Sequence, residues 1–181
     1  MNRIAIAVCA FALLPSVVAQ GQTSNLHAGP EYNILDTWAG IWTIQLEAKD
    51  SQTGPTYKVE WILKGRRTLG GYFLEVQHVW KAKGIETDGI EVTGYDPIAK
   101  AFSTHIFYDD GSSIISAPMF ANDETCIENG TEYRLDGKPS KIRVTWNFSP
   151  DRKSLSVKRE DEKDGTWWMS FQGKGVHSKL K

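Results

Sequence analysis

Cysteine is nearly missing from this chain. Two occur in 181 residues, Cys9 and Cys126. Cys9 falls within an N-terminal stretch that reads as an export leader. Arg3 supplies the basic head, Ile4 to Leu14 an apolar run broken by Pro15, and Val17-Val18-Ala19 the residues before a cleavage point at Gln20. Cleavage near Ala19 leaves Cys126 alone, which excludes an intrachain disulfide even in an oxidising compartment. Cys126 itself reads as a small apolar strand residue. Long apolar runs are missing as well. The leader's run is too short to cross a bilayer, so no integral membrane span is expected. An excess of one charge is also absent. Lys and Arg number 21 against 22 Asp and Glu, and loss of Arg3 with residues 1–19 leaves 20 against 22, a net charge of −2. That near balance excludes the basic footprint of a general nucleic-acid or membrane-surface binder. Finally, the chain carries no Gly-rich phosphate loop, Ser-centred elbow, zinc spacing or dinucleotide fingerprint. No cofactor and no metal is expected, no catalytic residue is assigned, and a protein partner is left open.

What the chain has in quantity is turns. They include Gly54-Pro55, Gly70-Gly71, Asp88-Gly89, Asp96-Pro97, Asp110-Gly111, Asn129-Gly130, Asp136-Gly137, Ser149-Pro150-Asp151 and Asp164-Gly165. Asp-Gly and Asn-Gly accept the positive φ angles of tight hairpins. The runs between them alternate with period two. Trp42, Ile44 and Leu46 share one phase; so do Tyr57, Val59, Trp61 and Leu63; Leu74, Val76, His78 and Trp80; Ile142, Val144, Trp146 and Phe148; Leu155, Val157 and Arg159; and Trp167, Met169 and Phe171. Phe102 to Tyr108 is ambiguous, with Phe102, Ile106 and Tyr108 competing against His105 and Phe107 for the inner face. One short helical piece is predicted from Pro30 to Thr37, with proline at a first helical position and Gly40 as the stop. Nothing resembles the crossover helices of a parallel sheet. The expectation is an all-β protein, a single antiparallel up-and-down β-barrel of about 8–10 strands with a short N-terminal helical turn. Residues 1–19 form the leader, 20–30 a loose arm and 31–181 the barrel.

The stretches Leu35-Asp36-x-Trp38-x-Gly40-x-Trp42, Val59-Glu60-Trp61-Ile62-Leu63, Gly71-Tyr72-Phe73-Leu74-Glu75, Gly94-Tyr95-Asp96-Pro97 and Asp164-Gly165-Thr166-Trp167 occur in that order over most of the chain. In these the chain resembles the calycins, the lipocalins and their relatives, and more closely a bacterial family of exported lipocalin-like domains of unknown function. The resemblance implies a barrel able to hold a small apolar or amphipathic molecule, with no established activity. Trp38, Gly40 and Trp42 would form the barrel floor. The lipocalin pattern sets an arginine over the floor tryptophan; Arg159 has the right phase, although it lies one strand too early.

The candidate pocket residues are Trp61, His78, Trp80, His105, Trp146 and Arg159. The tryptophans would line or fill the interior. His78 is a polar residue in an apolar phase, able to read a head group, and His105 joins it if its strand turns inward. Two histidines are too few for a zinc site. Arg159 would either seal the floor against Trp42 by a cation–π contact or anchor a ligand carboxylate. Glu60 and Glu75 are read as outward, His27 and His177 as near mobile ends, and Trp168 as outward. The leading expectation is an exported barrel, periplasmic or extracellular, that binds a small apolar or amphipathic molecule. The alternatives are a closed barrel acting through its surface, for instance around Trp168, and a barrel enzyme using an inward histidine as base.

Overall fold

A computed structural model describes residues 28–179. The expected leader, Cys9 and His27 lie outside the described residues. Ten strands follow one another as a meander: β1 (Gly40–Ala48), β2 (Tyr57–Thr68), β3 (Phe73–Ala82), β4 (Ile85–Asp96), β5 (Ala101–Tyr108), β6 (Ser113–Phe120), β7 (Thr125–Tyr133), β8 (Ser140–Phe148), β9 (Ser154–Lys163) and β10 (Thr166–Ser178). Each pairs antiparallel with its chain neighbours, and β1 pairs with β10 to close the ring. The chain is therefore all-β and a single closed up-and-down barrel, as the turn spacing predicts. Closure leaves no free sheet edge to pair with another chain.

The helical piece is a 3₁₀ helix, Pro30–Trp38, which crosses one end of the barrel. It buries Tyr32, Leu35 and Trp38. Arg67 on β2 ties it down, donating from Nη1 to the Tyr32 carbonyl at 2.7 Å and to Asp36 Oδ1 at 3.0 Å. The helix passes into β1 through Gly40, whose φ of 112° lies where an L side chain is strained. A Cβ there would also overlap His177 Nε2. Trp42 is wholly buried, donates from its indole to the Thr37 carbonyl at 3.2 Å, and packs edge-on against Phe148. Trp38 meets the same Phe148 with ring centroids 5.1 Å apart. Trp38 and Trp42 thus share one aromatic cluster at the end of the barrel where the chain enters β1 through Gly40.

Two sequence expectations are corrected here. The ring over Trp42 belongs to His177, not Arg159: the two centroids are 4.7 Å apart, and His177 Nε2 lies 2.9 Å from the Ala39 carbonyl, so that nitrogen carries a proton and donates. Far from being a loose end, His177 sits within β10. The second correction is the phase of β10. Its register against β9 shifts between Met169 and Phe171. An irregularity of this kind lets two nearby residues share one face. Phe171 remains inside, while Trp167 and Met169 turn outward and Trp168 inward. Arg143 covers the outward Trp167 ring from 4.7 Å.

Candidate functional site

The end opposite the floor is open. There the connections β1–β2, β5–β6 and β7–β8 surround the mouth of a cavity of about 690 Å³. Aromatic and aliphatic side chains form one wall. Trp61, Trp80, Trp146, Trp168 and Phe171 line it, with Ile106, Ile114 and Ile142 opposite. The Trp61 ring lies 5.7 Å from Trp80 and 5.5 Å from Trp146, so the indoles pack on one another and leave the lumen unfilled.

Polar groups occupy two levels. Near the mouth, Arg159 on β9 donates from Nη2 to Asp161 Oδ1 at 2.7 Å and to Glu132 Oε2 at 2.9 Å. Arg134 also donates to Glu132 Oε2, at 2.8 Å through Nε. Two guanidinium groups meet two carboxylates, and the cluster is neutral within itself. Burial lowers the Arg159 pKa, but Asp161 and then Glu132 raise it by more, and it ends above its ordinary value.

Deeper lie Glu91 on β4 and Glu128 on β7. Both also border a small void against Leu35 and Trp38 of the floor. Glu91 accepts from Thr93 Oγ1 at 2.8 Å, and its other oxygen is 2.9 Å from His78 Nε2. Thr93 also pairs with Thr104 at 2.7 Å. Glu128 accepts from the Trp146 indole at 2.9 Å and from Ser116 Oγ at 3.2 Å. Burial, and then the charge of Glu91, push the Glu128 carboxyl up to about 8. Burial likewise raises the Tyr108 hydroxyl and the Cys126 thiol, with carboxylate charges adding to both. Cys126 is therefore a protonated core thiol rather than a nucleophile.

Of the six candidate pocket residues, five line the cavity: Trp61, His78, Trp80, Trp146 and Arg159. His105 does not. Its strand places Phe102, Thr104, Ile106 and Tyr108 inside and leaves His105 exposed on the outer face. The carboxylates Glu91, Glu128, Glu132 and Asp161 are absent from the sequence-based candidates, as is Trp168. Among the described residues, no group of three or more His, Cys, Asp or Glu side chains is disposed to hold a metal ion. No helix among them is long and apolar enough to cross a membrane.

The model of a family described as "Protein of unknown function (DUF1579)" matches residues 27–174. The chain belongs to the DUF1579 family. No protein of curated function matches it. Among solved structures, this DUF1579 barrel is similar to Rv2717c from M. tuberculosis, with TM-score 0.62 and 12% identity over 83% of this chain and 99% of that one. At such identity the likeness is one of fold. A designed fluorescence-activating β-barrel aligns with TM-score 0.42 and 8% identity over 80% of this chain and 96% of its own, too remote to carry an argument.

Proposed function

We propose that this DUF1579 protein is an exported barrel that binds a small apolar or amphipathic molecule in its interior. The carrying observation is the open cavity of about 690 Å³, walled by Trp61, Trp80, Trp146 and Trp168 with a few convergent polar groups. A volume of several hundred Å³, mostly apolar walls and a handful of placed polar groups are the usual features of a small-molecule site. The leader-like residues 1–19 support export, to the periplasm or beyond it. The Gly-x-Trp entry into β1 and the 3₁₀ plug support kinship with the calycins. The test is native mass spectrometry on protein taken from a periplasmic fraction, followed by solvent extraction. A reproducible added mass that extraction releases is the expected result. An unadorned mass, with no uptake from a panel of fatty acids and hydrophobic metabolites, would overturn the proposal.

A further inference from the structure

The charges in the cavity are unequal from top to bottom. Near the mouth, Arg134 and Arg159 are matched by Glu132 and Asp161. At the bottom, among the described residues, no cationic side chain pairs with Glu128, and Glu91 has His78 alone. A carboxylate has about four acceptor sites. Each of these two uses one hydrogen bond per oxygen, to Thr93 and His78 in one case and to Trp146 and Ser116 in the other. Acceptor capacity is left over on both.

His78 adds an independent observation. It lines the same cavity and is 2% exposed, and its Nδ1 meets no hydrogen-bond partner among the described residues. Its Nε2 sits 2.9 Å from Glu91 Oε2, so with Glu91 ionised the proton belongs on Nε2. In the neutral ring, Nδ1 is then a bare lone pair. A buried polar atom without a partner carries a desolvation cost that a bound donor removes. The groups at the bottom therefore ask for N–H or O–H donors and for positive charge. The indoles of Trp61, Trp80 and Trp146 beside them suit the same charge through their π faces. Arg159 is the weaker anchor for an incoming anion: Asp161 and Glu132 hold its Nε and Nη2 hydrogens and balance its charge, leaving only Nη1 to donate.

We propose that the ligand is an amphipathic organic cation, a protonated amine whose N–H groups meet Glu91, Glu128 and His78 Nδ1 and whose apolar body rests on Trp61, Trp80 and Trp146. This rests on the binding reading above and narrows its ligand class. It also displaces the expectation that Arg159 anchors a ligand carboxylate.

The experiment compares three probes of one skeleton: 2-naphthylmethylammonium, 2-naphthalenemethanol and 2-naphthoate. Each is titrated into the full mature protein at pH 7 by calorimetry, with tryptophan fluorescence as a second readout. The ammonium is expected to bind about tenfold or more tighter than the alcohol, the gain of one charge-assisted hydrogen bond, and the naphthoate is expected to bind weakest. In Glu91→Gln the ammonium-to-alcohol ratio is expected to fall at least fivefold; in Glu128→Gln, which replaces a carboxyl held up at about 8 and so largely protonated at pH 7, it is expected to fall by less. Equal binding of all three probes, or preference for naphthoate, overturns the cationic assignment and leaves the cavity a binder. Binding of none overturns both. The unmutated series decides the matter even where a variant fails to fold.

Discussion

The barrel has two arcs built on opposite plans. In β1–β3 and β8–β10 the inward residues are mostly apolar, among them Trp42, Ile44, Val59, Leu63, Val76, Val144, Phe148 and Val157, and the outward ones mostly polar. In β4–β7 the inward phase carries Glu91, Thr93, Thr104, Ser116, Glu128 and Glu132, while Ile90, Val92, Phe107, Ile115 and Met119 are exposed outside. Only Cys126 of the main core cluster comes from β4–β7. The first arc supplies the packing and most of the cavity's aromatic lining; the second supplies the carboxylates Glu91, Glu128 and Glu132. His78, Arg159 and Asp161 are the polar exceptions in the first arc, and they face the carboxylates of the second. A barrel that must keep a lumen open cannot draw its stability evenly from all strands. Here the floor and the apolar arc carry it.

The strongest break of that division is at Trp42. It is fully buried against Phe148 and His177. Trp42→Ala is expected to cost about 3–5 kcal/mol, the usual range for truncating a buried large aromatic. Chemical denaturation monitored by circular dichroism measures it. A loss below about 1 kcal/mol would mean that the floor is not where the stability lies. Next comes Arg159→Met, which strands Asp161 and leaves Glu132 to Arg134 alone. Removing one member of a buried charge cluster costs about 3 kcal/mol or more, much of it the penalty on the charges left behind. Adding Glu132→Gln and Asp161→Asn to that variant is expected to recover most of the loss. Failure to recover would show that the Arg159 stem, rather than its charge, was the contribution.

Glu128→Gln should have the opposite sign. The folded state holds this carboxyl up at about 8, above its ordinary value of 4.5. Below pH 4.5 it is protonated in both folded and unfolded chains and contributes nothing to the pH dependence. From there to about pH 8, ionisation favours the unfolded chain, so stability falls as pH rises through that window. Above it the penalty is fully present. Gln keeps the shape, an acceptor for the Trp146 indole and an NH2 from which the Ser116 hydroxyl can accept, while removing the charge beside Glu91. The variant is expected to be more stable than the parent at pH 8 by about 1–3 kcal/mol and equal to it at pH 4. Thermal unfolding at the two pH values checks this, and a variant destabilised at pH 8 would remove the claim of a strained carboxylate.

How far the sequence foretold these two arcs depends on the arc. Strict alternation says which residues share a face; it does not say which face is inside. In β1, β2, β8 and β9 the contrast between Trp, Ile, Val and Leu on one phase and Lys, Glu, Thr and Ser on the other decides that question, and Trp61, Trp146 and Arg159 are placed correctly. In β4 and β7 the same contrast points the wrong way, because the apolar phase, Ile90 and Val92 or Ile127, faces outward. Glu91 and Glu128 are therefore hidden from a hydrophobicity argument. A usable signal was the repeat Glu128-x-Gly130-x-Glu132 in the middle of a chain already read as a closed barrel, where a polar lumen needs polar residues at period two. The Trp167–Trp168 exchange had no such signal, since a shift in register is a property of strand pairing.

The smallest effect is expected on the outside of the polar arc. Phe107 pairs across β4 with Ile90, and Ile115 lies on the next strand beside His105. Phe107 is 54% exposed and Ile115 45%, so little area leaves water when either forms on folding. Phe107→Thr introduces a β-branched residue suited to a strand and is expected to change stability by no more than about 0.5 kcal/mol. The informative control is protein concentration. If the outer face of β4–β6 is solvated, the unfolding midpoints of parent and variant stay level from micromolar to hundreds of micromolar. If a second copy covers it, the parent's midpoint climbs with concentration by mass action and the variant's does not. In the first case the apolar outer residues are the consequence of turning the polar phase inward, and β4–β7 is the arc of the barrel that function, rather than packing, has shaped.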